Sequence, residues 1–263
     1  MADDKRVPEG VDPSRPNAAR VYDYLLGGKD NYHIDRMVAE RMLEVAPDNR
    51  MLAWFSRQFL LQAVRDAAEA GVRQFLDIGA GIPTAPAVHE VAQKIDPTAL
   101  VASIDYDPVV FAHANALLSG IPGVTPILAD ARDPGDILAR ARTEAGIDFQ
   151  RPVAVLLVGL LHFIMDDEGP GEIVACFRDA MAPGSYLAFT HGSIDSDEHF
   201  VTQTLKDTVG TTAQFVFRSP TQVAEFLHGL DILDPGIVTV QDWLGGDLPP
   251  TVLNIMAGLC RKP

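Results

Sequence analysis

The sequence predicts an α/β protein: a doubly wound, Rossmann-like parallel sheet with an N-terminal helical cap and an antiparallel C-terminal hairpin. Three observations carry this. From Arg73 onward, short apolar runs alternate with segments of helical periodicity, and such βαβα alternation implies parallel strands joined by right-handed crossovers. The first run, Phe75-Leu76-Asp77-Ile78, ends in Gly79-Ala80-Gly81, a strand followed by a tight glycine turn. The residues before it, 1–70, carry helical patterns and no strand pattern. The predicted division is therefore a cap over 1–70 and a sheet domain over 71–263.

In chain order, residues 1–16 are polar and contain Pro8, Pro13 and Pro16, which predicts an extended, partly mobile arm. Asn17 is a good N-cap for a helix to about Leu26, stopped by Gly27-Gly28. A second helix runs from near Asp35 to Pro47. A third runs from about Asn49 to Ala70, with Leu52, Phe55, Phe59, Leu60, Ala63 and Val64 on one face. Strands follow at about 74–78, 100–104, 124–128, 153–158 and 186–190. The helices between them span about 84–95, 108–118, 134–145 and 169–181, the first starting at Thr84. Strand four, Val153–Val158, is continuously apolar, as a strand covered on both faces should be. Helices are then expected near 198–209 and 220–228. Strands near 236–240 and 252–259 flank a Gly- and Pro-rich turn, the signature of a hairpin at the sheet edge.

Composition narrows the function. The chain has 263 residues, 47% hydrophobic and 22% charged, with a formal net charge of −15. That balance disfavours nucleic acid and anionic membrane surfaces as partners. No apolar run is long enough to span a bilayer, and the N-terminus lacks the apolar region of a secretory signal. Cys176 and Cys260 both lie in apolar patterns, which suits buried thiols in a reducing, cytoplasmic compartment. No spacing suggests a metal site, and oligomeric state is not readable.

In a wound sheet, ligands bind beyond the carboxyl ends of the strands. Strand one offers Asp77 and the Gly79–Gly81 turn there, strand two Asp105 and Tyr106, strand three Asp130 and Ala131, strand four Gly159. Aspartates at strand ends often cap the next helix. In Asp105-Tyr106-Asp107-Pro108 that role falls to Asp107, with Pro108 at the first helical position; in Asp130-Ala131-Arg132-Asp133-Pro134 it falls to Asp133. Asp105 and Asp130 are then left for a ligand. A carboxylate accepts two hydrogen bonds, so Asp105 suits the two hydroxyls of a ribose and Asp130 an adenine amino group. Tyr106 suits packing on the base, and Asp77 an amino group. Pro83 and Thr84 disfavour a dinucleotide, because Pro83 has no N–H for a pyrophosphate and Thr84 stands where the dinucleotide fingerprint has Gly or Ala.

These residues resemble the class I S-adenosylmethionine-dependent methyltransferases, through FLDIGAG, VASIDYDP, ILADAR, VAVLLVGLLHFI and MAPGSYLAF. The N-terminal RPNAARVYDYLLGGKDNYHIDR, followed by QFLDIGAGIPT, resembles more specifically an actinobacterial methyltransferase family catalogued as a domain of unknown function. That resemblance covers nearly the whole chain. The general class implies S-adenosylmethionine as cofactor and the roles above for Gly79, Gly81, Asp105 and Asp130; Asp77, Ala80, Tyr106, Ala131 and Gly159 complete the expected cofactor site, and the expected methyl acceptor is a small molecule. The turn departs from the pattern in lacking a third glycine. Methyl transfer needs positioning more than acid–base groups. If the acceptor needs a base, His162 and His191, just after strands four and five, are the catalytic candidates; His89 and His113, within helices, are expected to be solvated. Tyr24, Lys29, Asn31 and His162 are the candidate acceptor contacts. The alternatives are an NAD-dependent oxidoreductase on the same fold and an S-adenosylmethionine-binding regulatory protein without catalysis.

Overall fold

The computed structural model describes residue 12 and residues 14–208 and 214–263. Most of the expected N-terminal arm, and the expected end of a helix at Val209, lie outside the described residues.

Three helices come first: α1 (Ala18–Leu25), α2 (His33–Val45) and α3 (Asn49–Glu69). Asn17 caps α1 as expected, its Oδ1 accepting from the N–H of Ala19 at 2.8 Å. α1 and α2 are tied together by Arg20 and Asp35, both buried. Arg20 Nε donates to Asp35 Oδ2 at 2.7 Å. Asp35 also accepts from the N–H groups of Asn17 (2.9 Å) and Tyr32 (2.8 Å), so each carboxylate oxygen is satisfied, as a buried charge requires. Tyr22 reaches α3, donating its hydroxyl to Ala53 O at 2.8 Å.

The alternation then follows the sequence: β1 (Gln74–Ile78), α4 (Val88–Ile95), β2 (Leu100–Asp105), α5 (Pro108–Leu118), β3 (Val124–Leu128), α6 (Pro134–Glu144), β4 (Ala154–Leu157), α7 (Pro170–Ala180) and β5 (Tyr186–Gly192). α8 (Glu198–Thr208), α9 (Pro220–Phe226), β6 (Asp231–Ile232), β7 (Val238–Thr239), α10 (Val240–Leu244) and β8 (Ile255–Arg261) complete it. Among the described residues one sheet runs β3-β2-β1-β4-β5-β8-β6, with β7 also on β8. β1 to β5 are parallel, and β8 is antiparallel to β5, β6 and β7. The order reverses at β1/β4, which places the switch point beside the glycine turn.

Two departures from the sequence reading are local. The helix after the glycine turn begins at Val88, not Thr84. Pro83 and Pro86 hold the residues before them out of the helical region, and the Thr84 hydroxyl donates to Ile82 O instead of capping. At the C-terminus the antiparallel pairing is present, but a short helix interrupts the expected hairpin. Thr239 caps α10, its Oγ1 accepting from Asp242 N–H at 3.1 Å.

The core has two layers, one on each sheet face. Phe75, Val101 and Leu156 pack with Phe55, Phe59 and Val64 of α3. Leu76, Ile104 and Val155 pack with Ile137 of α6 and Phe177 of α7. This alternation along each strand is the period of two that a doubly covered sheet demands. α3, placed in the cap by its sequence position, is thus part of the sheet's own core, whereas α1 and α2 form a small cluster around Val21, Leu25 and Ala39 that closes on Ala53 of α3. No helix among the described residues is long and apolar enough to cross a membrane.

Candidate functional site

The carboxyl edge of β1 to β4 carries the site. The turn after β1 is fastened to β2 by paired backbone donors: the N–H groups of Gly79 and Ala80 both reach Ile104 O, at 2.9 and 3.0 Å. Gly79 and Gly81 have φ of +72° and +67°, a region costly for residues with a Cβ. A Cβ on Gly81 would meet nothing within 4 Å, so the backbone there faces open space, whereas a Cβ on Gly79 would come to 3.0 Å from Leu160 Cδ1.

Asp105 ends β2 and is 7% exposed. Its Oδ2 accepts from Gly81 N–H at 2.9 Å and its Oδ1 from Asp107 N–H at 3.0 Å. The capping roles fall as the sequence argument had them: Asp107 Oδ1 accepts from Val109 N–H (2.7 Å) and Asp133 Oδ1 from Asp136 N–H (3.0 Å). Burial pushes the Asp105 carboxyl up to about 6, against the pull of the Asp107 and Gly81 N–H donors. Asp77 is likewise pushed up to about 6 by burial; Arg57 opposes the shift and the charge of Asp105 adds to it.

Among the described residues, two clefts flank the turn. The larger, about 450 Å³, is lined by Gly79, Asp105, Tyr106, Asp130, Ala131 and Arg132 on one side, and by Leu160, Phe163, Ile164 and Ala18 of α1 on the other. The smaller, about 360 Å³, contains Asp77, Ala80, Gly81, Thr84, Arg57 and His89. The larger has apolar walls and a few placed polar groups, the make-up of a small-molecule site. Tyr106 is 43% exposed on its wall, available to cover a planar ring. A buried carboxylate beside a glycine cradle, flanked by an exposed aromatic ring, fits a nucleoside carrying a cationic sulfonium.

The structure therefore brings Asp105, Tyr106, Asp130, Ala131 and Gly79 to one cleft, and Asp77, Ala80 and Gly81 to its neighbour. Gly159 lies beyond the end of β4 on neither wall; its N–H donates to Thr190 Oγ1 at 2.7 Å. The N-terminal candidates are engaged locally. Asn31 is buried and donates to Asp23 Oδ2 at 2.8 Å. Tyr24 donates its hydroxyl to Glu40 and lies under the Arg50 guanidinium, 4.7 Å from the ring centroid. Lys29 is exposed. None of the three lines either cleft.

The two histidine candidates differ. His191 is fully buried, its Nδ1 against Gly192 O at 2.9 Å and its Nε2 against Arg218 Nη1 at 2.8 Å. Arg218 is only a donor, so Nε2 accepts and Nδ1 carries the proton. No nitrogen is left for an acceptor, and burial pushes the ring down to about 4. His162 stacks on Phe215 with centroids 4.4 Å apart, and its Nδ1 is buried without a partner. Burial, with His191 and Arg218 nearby, holds it well below the usual histidine range and hence neutral. His89, expected in solvent, is buried beside the smaller cleft, because α4 turns that face onto β2. His113 is half-buried.

Sequence reasoning missed Arg57, Arg132 and Arg218. Arg57 Nη2 donates to Thr84 O and, at 2.7 Å, to Pro86 O, and so pins the segment after the glycine turn to α3. Arg218 is 2% exposed and ties Leu161 O, Ile164 O and Asp166 behind the β4 connection. Arg132 had a readable signal, two positions after Asp130; the other two did not.

Known proteins share this fold. A crystal structure of a DUF574 family protein from Streptomyces avermitilis is 32% identical, covers 96% of this chain and 99% of its own, and has a TM-score of 0.90. A Thermobifida fusca crystal structure, described provisionally as a methyltransferase, is 37% identical, covering 97% and 98%, with a TM-score of 0.87. The mitochondrial citrate synthase-lysine N-methyltransferase of Pongo abelii is 28% identical over 151 residues, 51% of this chain; the match spans 60% of that protein. The S-adenosyl methyltransferase family model matches residues 4–263. With its glycine turn, strand-end acids and nearly full-length match, this chain belongs to the S-adenosyl methyltransferase family, whose cofactor is S-adenosylmethionine.

Proposed function

We propose that the protein transfers the methyl group of S-adenosylmethionine to a small-molecule acceptor at the carboxyl edge of its sheet. The observation that carries this is the joining of Asp105 to the glycine turn through Gly81 N–H: one group binds backbone and faces the cleft that would receive the nucleoside. The cofactor, when bound, supplies a methyl already activated on a sulfonium. The chain's own task is to hold the two reactants in line, which can supply on the order of 7–11 kcal/mol of the barrier. In this reading Asp105 accepts from the ribose hydroxyls, Asp130 from the adenine amino group, and Tyr106 covers the base. Asp77 and Arg57, which share the smaller cleft, suit the amino and carboxylate ends of an amino acid. α1 borders the site from the N-terminal side, with Ala18 on the cleft wall. His162, expected as a base and an acceptor contact, is buried and lines neither cleft, so this reading gives it no part in proton transfer. Two free thiols, Cys176 and Cys260, suit a cytoplasmic setting.

Calorimetry with S-adenosylhomocysteine and with NAD tests the reading. Binding of the thioether nucleoside and not of the dinucleotide is expected; stabilisation by NAD alone overturns it. Binding without methyl transfer across a broad acceptor panel would leave a cofactor-binding protein without catalysis.

The raised carboxyls predict a pH dependence. Burial favours their protonated forms, so their contribution to the stability of the ligand-free fold is complete below about pH 4 and is lost as pH rises through about 6. Ligand binding uses the ionised forms and runs the other way. Affinity for S-adenosylhomocysteine should rise between about pH 5 and about pH 7, and Asp105→Asn should flatten that rise.

A further inference from the structure

Arg132 does more than neutralise its neighbour. It follows Asp130 by two residues and reaches across the larger cleft. Its backbone N–H donates to Asp130 Oδ1 at 2.9 Å, and its Nη1 approaches Oδ1 at 3.2 Å and Oδ2 at 3.4 Å. Its Nε donates to Glu168 Oε1 at 2.6 Å and its Nη2 to Phe163 O at 3.2 Å. Glu168 is anchored in turn, its Oε2 accepting from Met165 N–H at 2.7 Å. One planar guanidinium thus joins the acidic wall of the cleft, after β3, to the apolar wall, after β4. Lysine's single ammonium could not span those three partners.

The arrangement has a directional consequence. Every bond Arg132 makes to Asp130 is a donation, so Asp130 is kept an acceptor. Oδ1 takes the two shorter bonds, leaving Oδ2 the less engaged oxygen. An acceptor held in one place suits a purine bearing an exocyclic amino group. Against a 6-oxo purine it sets acceptor against acceptor; the Asp130 side chain is 43% exposed in the ligand-free fold, so the discrimination arises when the bound purine covers it and leaves the mismatched oxygens unpaired.

We propose that Arg132 is a positioning residue for purine selectivity: it locks Asp130 as a one-way acceptor and struts the two cleft walls, so that the site takes an adenosyl and rejects an inosyl ligand. This rests on the adenosyl reading above.

The test is calorimetry with S-adenosylhomocysteine and its 6-oxo analogue, S-inosylhomocysteine, on the full-length protein and its Asp130→Asn, Arg132→Gln and Arg132→Lys variants. The wild type should prefer the amino ligand by about a hundredfold or more, and Asp130→Asn should abolish most of that preference. Arg132→Gln should reduce the preference by about tenfold, mostly through weaker binding of the amino ligand. Arg132→Lys should restore part of it, because charge returns but the fork does not. Glu168→Gln, which leaves Arg132 beside Asp130 but loosens its anchor, gives a second route should Arg132→Gln not fold; it too should narrow the preference. Equal losses for both ligands would mean a structural role only and overturn the inference. An unchanged preference in Arg132→Gln, or in Glu168→Gln if that variant carries the test, beside a lost one in Asp130→Asn would also overturn it while leaving the adenosyl reading intact. A wild type that binds neither thioether overturns that reading itself.

Discussion

Asp105→Ala should weaken binding of S-adenosylhomocysteine by about a hundredfold to a thousandfold, measured by calorimetry near pH 7.5. Hydrogen bonds to a charged group are worth about 1.5–3 kcal/mol each, and in the proposed site this carboxylate takes two from a ribose. The variant also strips the acceptor from Gly81 N–H and Asp107 N–H, so the turn loses its tie to β2 at that point. Asp105→Asn separates the two contributions. Its shape is retained, the cost of burying a charge is removed, and one of the two N–H acceptors is kept. Relief and loss offset each other, so stability should move by no more than about 1 kcal/mol, or roughly 2–4 °C in Tm for a chain of this size. Affinity should still fall steeply. Retained affinity in both variants would remove Asp105 from the site.

Breaking the Arg20–Asp35 pair should be the most destabilising single change in the N-terminal helices. Side-chain exposure of the pair is 3% and 0%, and removing one partner of a buried pair costs about 3–5 kcal/mol. Asp35→Leu leaves a buried guanidinium whose remaining hydrogen bond goes to Arg15 O, with the Tyr32 ring 5.0 Å away. Because α1 and α2 pack in a small cluster that touches α3 only through Ala53 among its buried members, the damage should be local. Hydrogen exchange and limited proteolysis should show opening over 17–46 while β1 to β5 stay protected. Affinity for S-adenosylhomocysteine should fall with it, since Ala18 forms part of the cleft wall. Arg20→Met with Asp35→Leu should recover part of the stability: the unpaired charge is gone, but the Asn17 and Tyr32 N–H groups still lack their acceptor. Global unfolding in place of local opening would show that the cap is not a separate cooperative unit.

The strand-end acids were separable in the sequence because the rule that sorts them is short-ranged. A proline at the first helical position marks the aspartate before it as the cap, and Asp107 and Asp133 occupy those places in the structure. That left Asp105 and Asp130 unassigned, and both line one cleft. The glycine turn, the alternation of strands and the doubly covered β4 were legible for the same reason: each is a pattern within about ten residues. Thr84 shows where such patterns mislead. It is a good cap beside a helical run, yet prolines on both sides of it move the helix start to Val88.

Distance along the chain explains what stayed hidden. Arg57 meets Thr84 across 27 positions, Arg132 meets Glu168 across 36 and Arg218 meets Asp166 across 52. The same holds for Tyr24 and His191, whose residue types suit a ligand equally well; Asn31 meets Asp23 only eight positions away, but across a turn with no regular period. Folding gave Tyr24 to Glu40, Asn31 to Asp23 and His191 to Arg218. The amino-acid order settled the architecture and the acids at the sheet's edge, because backbone propensity and apolar period act locally; the cofactor class was legible only through the resemblance of whole motifs. Which long side chains reach the ligand's cleft and which are taken up by neighbours was decided when distant segments packed, since a buried polar group takes whatever partner the packing brings within hydrogen-bond reach.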